Sequence, residues 1–184
     1  MKRALSRWLA AFGEDRRGLA AVEFALIAPI MILIYFGMTE FSQAYMANRR
    51  ANHAASIVAD LVAQSETTSS KDLAKAFEIG SVIMRPFSAD TLSIRVTSLT
   101  MDSRGRAVID WSKSQGNHLP PLGRGAIVAD LPTGLITPGE SLIMGETHFV
   151  YASSAASVIG RPLNFTRSYY LRPRVVERVN CSDC

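Results

Sequence analysis

The hydrophobic positions of this chain form one nearly unbroken block near the amino end and alternating patterns beyond it. Residues 19–39 (LAAVEFALIAPIMILIYFGMT) are apolar except at Glu23, Tyr35 and Thr39. At about 1.5 Å per residue, a helix of this length covers roughly 30 Å, the thickness of a bilayer core. The pattern therefore predicts a transmembrane segment over 19–39.

Small side chains continue the helical period after this block. No glycine or proline interrupts residues 40–64. Apolar residues recur there at spacings of three and four, which places them on one stripe of a helix. The stripe consists of Ala44, Ala47, Ala51, Ala54, Val58 and Leu61. We predict a helical continuation over 40–64, whose stripe packs either against closely approaching helices of other molecules or against the protein's own sheet.

Residues 65–184 are predicted to form an exported domain that begins with a second helix. The segment SETTSS (65–70) is rich in turn and capping residues, so the first helix is expected to end there. Ser69 or Ser70 is positioned to cap a helix through KDLAKAFEIGSVIM.

Strand patterns follow the second helix. Apolar and polar residues alternate on both sides of the turn DSRGR (102–106), which predicts a hairpin. Two further strands are predicted over 139–153 and 168–176, and Pro173 favours an edge position for the second of them. The predicted fold class is α+β: a long N-terminal transmembrane and amphipathic helix followed by a small antiparallel β-sheet domain.

Composition and charge narrow the protein class and set a topology. Of 184 residues, 48% are apolar and 20% are charged, which excludes a disordered chain and a polytopic membrane protein. A basic leader is predicted over 1–18, and its positive charges place that end in the cytoplasm. The charges are Lys2, Arg3, Arg7, Arg16 and Arg17. The other basic residues are scattered among acids, so no nucleic-acid partner is predicted.

No arrangement typical of an active site is present in the sequence. His53, His118 and His148 are far apart and fall in a helix, a loop and a strand. They form no metal-ligand spacing, and no GxSxG motif accompanies the serines. We predict no catalytic residue, no metal, no cofactor and no small-molecule substrate.

The two cysteines, Cys181 and Cys184, lie together in the segment CSDC. They admit a local disulfide, a redox pair or half of a zinc site. An exported domain favours the disulfide, which closes a short loop and would stabilise the fold only modestly.

Glu23 is the unexpected residue of the apolar block, because an acid inside a membrane span is costly and usually functional. A cleaved secretory signal is disfavoured, since the uncharged stretch 24–39 is long and no Ala-x-Ala follows it directly. A plain signal anchor leaves the glutamate without a role. Spacing supports a third interpretation: Gly18 is followed by LAAVEF, so Glu23 and Phe24 are the fifth and sixth residues after the glycine.

This spacing resembles the processing site of type IV prepilins, most closely the TadE/TadF-like pseudopilins of the tight-adherence (Tad, Flp) pilus system. The continuation ALIAPIMILIYFGMTEFSQAYMANRRANHAASIVADL resembles the same family. The resemblance implies cleavage between Gly18 and Leu19 by a membrane-embedded prepilin peptidase. It also implies that Glu23 and Phe24 act in recognition and assembly. Pro29 removes one backbone hydrogen bond and is expected to kink the helix, as a proline at a different offset does in type IV pilins; the alternative is a proline that is tolerated in a membrane span.

The resemblance further implies a minor pseudopilin that assembles or primes a Tad/Flp type IVb-like pilus, and so contributes to adhesion. Its partners would be the prepilin peptidase, other pilins or pseudopilins, and inner-membrane Tad assembly proteins. It would cross the bacterial inner membrane once, with a cytoplasmic N-terminus and a periplasmic or extracellular domain, and enter the pilus. The alternative is a signal-anchored exported binding module outside any pilus, and a second rival is an exported enzyme.

Overall fold

A computed structural model describes residues 18–153 and 161–184. In this part of the chain there are two helices and seven strands. The chain divides into two compact units, with the boundary between Ser42 and Gln43. The predicted α+β class is confirmed: one long apolar helix precedes an antiparallel sheet domain. In chain order the elements are α1 (Leu19–Ala63), β1 (Thr67–Thr68), α2 (Ser70–Ile83), β2 (Leu92–Met101), β3 (Ala107–Gln115), β4 (Ile127–Val128), β5 (Ser141–Tyr151), β6 (Leu163–Leu171) and β7 (Asn180–Cys181).

The helix α1 ends where the sequence changes from alanine-rich to polar residues. The last turn of a helix leaves carbonyl groups without partners inside the helix. One of them, the carbonyl of Ala63, accepts a hydrogen bond of 2.8 Å from the amide of Arg174. The C-terminal tail of the chain therefore caps the end of α1 by supplying a hydrogen-bond donor.

The helix α2 begins at the predicted cap. The Ser69 hydroxyl accepts a hydrogen bond from the amide of Asp72, and the Asp72 carboxylate accepts one from the same hydroxyl at 2.6 Å. A second acid reinforces this end, because Asp183 Oδ1 accepts a hydrogen bond of 2.7 Å from the Ser70 amide. Both carboxylates lie where the positive end of the helix dipole favours negative charge.

The main sheet has five strands in the order β4-β3-β2-β5-β6, and every neighbouring pair is antiparallel. The predicted hairpin is present as β2 and β3, which are paired up to Met101 and Ala107 at the turn. The strand expected over 139–153 is β5. A separate parallel pair, β1 with β7, was not predicted.

The last strand of the sheet lies earlier than the sequence pattern placed it. We predicted 168–176, whereas β6 spans Leu163–Leu171 and Pro173 follows it in the tail. β6 is an edge strand, as predicted. Its bounds are set by pairing with β5 from Tyr151 to Ile143 rather than by its own weak alternation.

The two faces of the sheet carry different cores. The inner face packs on α1 and α2 through a cluster that includes Ile94, Val96, Ile143 and Phe149. The outer face carries a smaller cluster, which contains Leu99, Ala107, Ile136, Leu142 and Met144. Side chains alternate between faces along a strand, so neighbouring residues of β5 serve different cores.

Candidate processing and assembly site

The predicted cleavage site lies at the start of α1. Gly18 is exposed and directly precedes the helix, which begins at Leu19. Among the described residues, apart from its chain neighbours, no atom lies within 4 Å of the position that a Cβ of Gly18 would occupy. Leu19 is also exposed, and residues 1–17 of the predicted leader lie outside the described residues.

Glu23 and Phe24 follow one turn into the helix. Both side chains are exposed, and Phe24 is 73% accessible. Glu23 lies four residues after Leu19, so the two side chains share one face of the helix. Within 18–153 and 161–184, Glu23 forms no ion pair. Its carboxylate thus lies exposed on the helix face that it shares with Leu19.

The first half of α1 exposes its apolar side chains on all sides. The exposed residues between 24 and 41 include Phe24, Leu26, Ile27, Ile30, Met31, Ile32, Leu33, Ile34, Tyr35, Phe36, Met38 and Phe41. The helix is long and apolar enough to cross a membrane, and Pro29 lies within it. A surface this large and apolar is unfavourable in water, so lipid or another protein must cover it.

The small-residue stripe of the second half packs on the protein's own sheet. Ala47, Ala51 and Ala54 are fully buried. Thr147 of β5 donates a hydrogen bond of 3.1 Å to the carbonyl of Ala51, which brings the helix backbone directly onto the strand. Of the two roles left open by the sequence, the stripe serves the intramolecular one. Leu61 departs from the stripe and is 38% exposed.

Gly145 of β5 shows how closely the helix and the sheet approach. A Cβ at this position would lie 2.6 Å from the carbonyl oxygen of Ala55 and 2.8 Å from the Cβ of Ala59. Only a residue without a side chain fits there. The alanines of α1 and this glycine are thus complementary parts of one contact.

Glu40 is a residue whose burial the sequence reasoning did not anticipate. Its side chain is 7% exposed, and Oε1 has no hydrogen-bond partner in the described part of the chain. The one feature of the sequence that could have drawn attention to Glu40 is its position directly after the predicted transmembrane segment.

The two cysteines form a disulfide that helps to hold the tail against α2. Cys181 and Cys184 are bonded, with 5.7 Å between their Cα atoms. Between them, Ser182 donates its amide to the Thr68 carbonyl, while Asp183 receives hydrogen bonds from Ser70. Asp183 also lies within 4.8 Å of both sulfurs, a grouping that could hold a metal ion. With the sulfurs in a disulfide there is no thiolate to serve as a ligand.

Two of the three histidines are in contact, although no spacing pattern in the sequence predicts that contact. His118 and His148 stack with ring centroids 4.7 Å apart and planes inclined by 16°. His148 is half-buried, and burial, followed by the charge of His118, lowers the pKa of His148. His53 lies exposed on α1. In the described residues the histidines join no group of three metal ligands.

Comparison with known proteins gives one family match. The family model described as TadE-like protein matches residues 18–60, which include Gly18, Leu19, Glu23, Phe24 and most of α1. Comparison with curated proteins and with solved structures found no match. The similarity therefore covers the helix and leaves the sheet domain outside it.

Proposed function

The chain is TadE-like over residues 18–60, as its sequence predicted, and on that premise we propose that it is a minor pseudopilin in the assembly or priming of a Tad/Flp pilus. The family match itself supports a Tad pilus-associated protein. The observation that carries the finer role is the start of α1, where an accessible glycine precedes an exposed apolar helix with one acid. The proposed role is structural and needs no catalytic residue.

The first step of this function is processing. A membrane-embedded prepilin peptidase cleaves after Gly18 on the cytoplasmic side, and the mature chain begins at Leu19. The exposure of Gly18 and the open space around it support this step, because an extended backbone must enter the enzyme.

Glu23 acts in the second step, assembly. Cleavage creates an amine on Leu19 at the membrane boundary, and the Glu23 carboxylate is its partner in the same chain or in a neighbouring subunit. A charge left alone in a medium of low dielectric constant is strongly unfavourable, whereas a paired charge is tolerated. Glu23 therefore favours one axial register between subunits, with Phe24 beside it in the same contact.

The size of the exported domain supports a minor component rather than the bulk subunit of the filament. Unit 2 extends from Gln43 to Cys184 and carries its own sheet and two cores. The major Flp pilin, in contrast, is little more than the helix. Other pilins or pseudopilins and inner-membrane Tad assembly proteins are the proposed partners, and the exposed first half of α1 is the surface that meets them and the membrane.

The deciding experiment is the mass of the mature chain. The full chain is expressed in a host with and without a Tad prepilin peptidase, and the N-terminus is determined by intact mass spectrometry. We expect a chain that starts at Leu19 only when the peptidase is present. Gly18→Val should block this cleavage, while the matched variant Gly37→Val should not, since both glycines have free space around them.

An uncut chain in both hosts would contradict the proposal and favour the signal-anchored binding module. Cleavage after the apolar block would instead indicate a secretory signal. Both outcomes are read from the same mass spectrum.

Glu23→Gln separates assembly from processing. This variant keeps the shape of the side chain and removes its charge, so we expect normal cleavage but loss of pilus assembly in a strain that lacks the native gene. Glu66→Gln, an exposed acid after α1, is the matched control and should assemble normally. Normal assembly by the Glu23 variant would refute the registry role.

A further inference from the structure

The connection after β3 crosses the outer face of the sheet as a strap, residues 115–122, that is held to β2 and β5. Gly116, its second residue, has a positive φ of 94°, and a Cβ there would lie 2.5 Å from Ser93 Oγ and 2.7 Å from the Leu92 carbonyl oxygen. The backbone of the strap therefore lies directly against β2.

Two rungs of the β2–β5 ladder form the seat of the strap; the pair Ile94–Thr147 lies between them, so both rungs present their side chains on the same face of the sheet. In the first rung Ser93 is paired with His148, and in the second Arg95 is paired with Glu146. The amide of His118 donates a hydrogen bond of 3.0 Å to Ser93 Oγ. The ring of His118 stacks on that of His148. One histidine of the strap thus contacts both residues of the first rung.

The second rung fixes the strap through an ion pair. Arg95 donates from Nε and Nη2 to the two carboxylate oxygens of Glu146, at 2.7 and 2.9 Å. Its remaining nitrogen, Nη1, donates a hydrogen bond of 2.8 Å to the carbonyl of Pro120. Both side chains of the pair are largely buried, so the bidentate geometry is well defined.

From this arrangement we propose that the strap is an acid-released clasp, closed by the neutral His118–His148 stack and opened when both imidazoles carry a proton. The inference is independent of the proposed function. A proton on each ring would place two like charges face to face, with the ring centroids 4.7 Å apart. The closed clasp therefore disfavours the state in which both rings are charged.

The surroundings of His148 offer no compensation for its charge. Its Nδ1 is buried without a hydrogen-bond partner in the described residues. Its neighbours across the ladder, Ser93 on β2 and Thr166 on β6, are uncharged. On the outer face of the described strands the charged groups are Arg95 and Glu146, which already neutralise each other.

The remaining charged side chains of these strands and of the strap point elsewhere. Arg167 of β6 bonds to Asn48 of α1, Asp110 of β3 binds Arg178, and Lys113 of β3 lies beside α2. Arg124, just past the strap, lies beside Asp110 and Cys181. Among the charged side chains of the described strands and of the strap, none therefore offers the second proton on the histidine pair an unpaired carboxylate on this face.

The direction of the pH effect follows from linkage. Burial, and next the charge of His118, lowers the pKa of His148 in the folded chain below its ordinary value, so the opened state binds the proton more readily. The stabilisation that the clasp contributes is therefore complete above the ordinary histidine pKa and is lost as the pH falls below it.

The geometry of the two histidines does not suit a metal ion. The lone pairs of two nearly parallel, stacked ring planes do not converge on one point.

The test is amide hydrogen exchange of the full chain in detergent micelles at about pH 7.5 and about pH 5, corrected for intrinsic rates. We expect opening of the strap peptide 115–122 to rise several-fold at the lower pH, while β6 stays unchanged. His148→Phe keeps an aromatic ring for stacking but cannot be protonated, so the rise should disappear. His53→Phe changes the remaining, exposed histidine and should behave as the unmodified chain.

Three results would overturn the proposal. They are equal strap opening at the two pH values, a rise that spreads equally over β5 and β6, and a rise that persists in both His148→Phe and His118→Phe. His118 is exposed, so its variant leaves the core intact and decides the matter if His148→Phe does not fold.

Discussion

The two halves of α1 differ in the size of their apolar side chains and have opposite surroundings. Between Leu19 and Thr39 most side chains are large and apolar, and these are exposed on every side of the helix. From Ala44 to Ala63 one stripe of mostly small side chains is fully buried at most positions. The rest of this half carries polar residues together with the exposed Tyr45, Met46 and Leu61. In this one continuous helix, the second half therefore buries its apolar stripe inside the molecule, whereas the first half leaves its apolar surface exposed.

This difference shows that side-chain size along a helix indicates the kind of partner. Alanines and Gly145 allow the helix backbone to approach a sheet to the distance of a direct hydrogen bond, as between Thr147 and Ala51. Large side chains such as Phe24 and Leu33 keep the partner at a distance and suit lipid tails or other apolar helices. Matched substitutions in the two halves test this division.

The largest effect is expected from one added side chain at equivalent alanines. Ala51→Leu inserts three carbons into a fully buried contact, which should lower the free energy of unfolding by about 3 kcal/mol. Ala25→Leu makes the same change at an exposed position and should have almost no effect. Thermal denaturation in detergent, followed by tryptophan fluorescence, compares the two. Equal losses would end the distinction between the halves.

A smaller loss is expected on the sheet side of the same contact. Gly145→Ala places a Cβ against the backbone of α1 and should lower the free energy of unfolding by about 2 kcal/mol, because backbone atoms cannot move aside as a flexible side chain can. Gly123→Ala, which has free space around it, is the control. If Gly145→Ala is as stable as the control, the helix and sheet pack less closely than the structure shows.

The disulfide should contribute at most as much to stability as the close contact at Gly145. The loop between Cys181 and Cys184 is so short that chain entropy alone limits its contribution to about 2 kcal/mol, and the hydrogen bonds of Asp183 to Ser70 remain after reduction. We therefore expect the double variant Cys181→Ser/Cys184→Ser to fold, with a melting temperature a few degrees lower. Failure of this variant to fold would show that the tail depends on the disulfide.

The smallest effect on stability is expected in the exposed half. Glu23→Gln should change the free energy of unfolding of the sheet domain by less than about 0.5 kcal/mol, as is usual for exposed positions. Its proposed consequence is confined to assembly, so denaturation and pilus formation must be measured on the same preparation. A large loss of stability would mean that Glu23 has a structural role inside the chain.

Sequence alone determined the features that depend on neighbouring residues. The apolar block, the cap at Ser69, the hairpin around 102–106 and the TadE-like spacing from Gly18 to Phe24 are all local patterns. Local propensity and periodicity specify such elements because the interactions that stabilise them lie within a few residues.

Tertiary structure decided what depends on residues far apart along the chain. It placed the alanine stripe on the protein's own sheet and set the bounds of β6 through its partner β5. It also joined Asp183 to Ser70 across 113 residues and stacked His118 on His148. No local pattern encodes these contacts, because each depends on which strands pair and in which register, and a shift by one residue would turn every side chain to the other face.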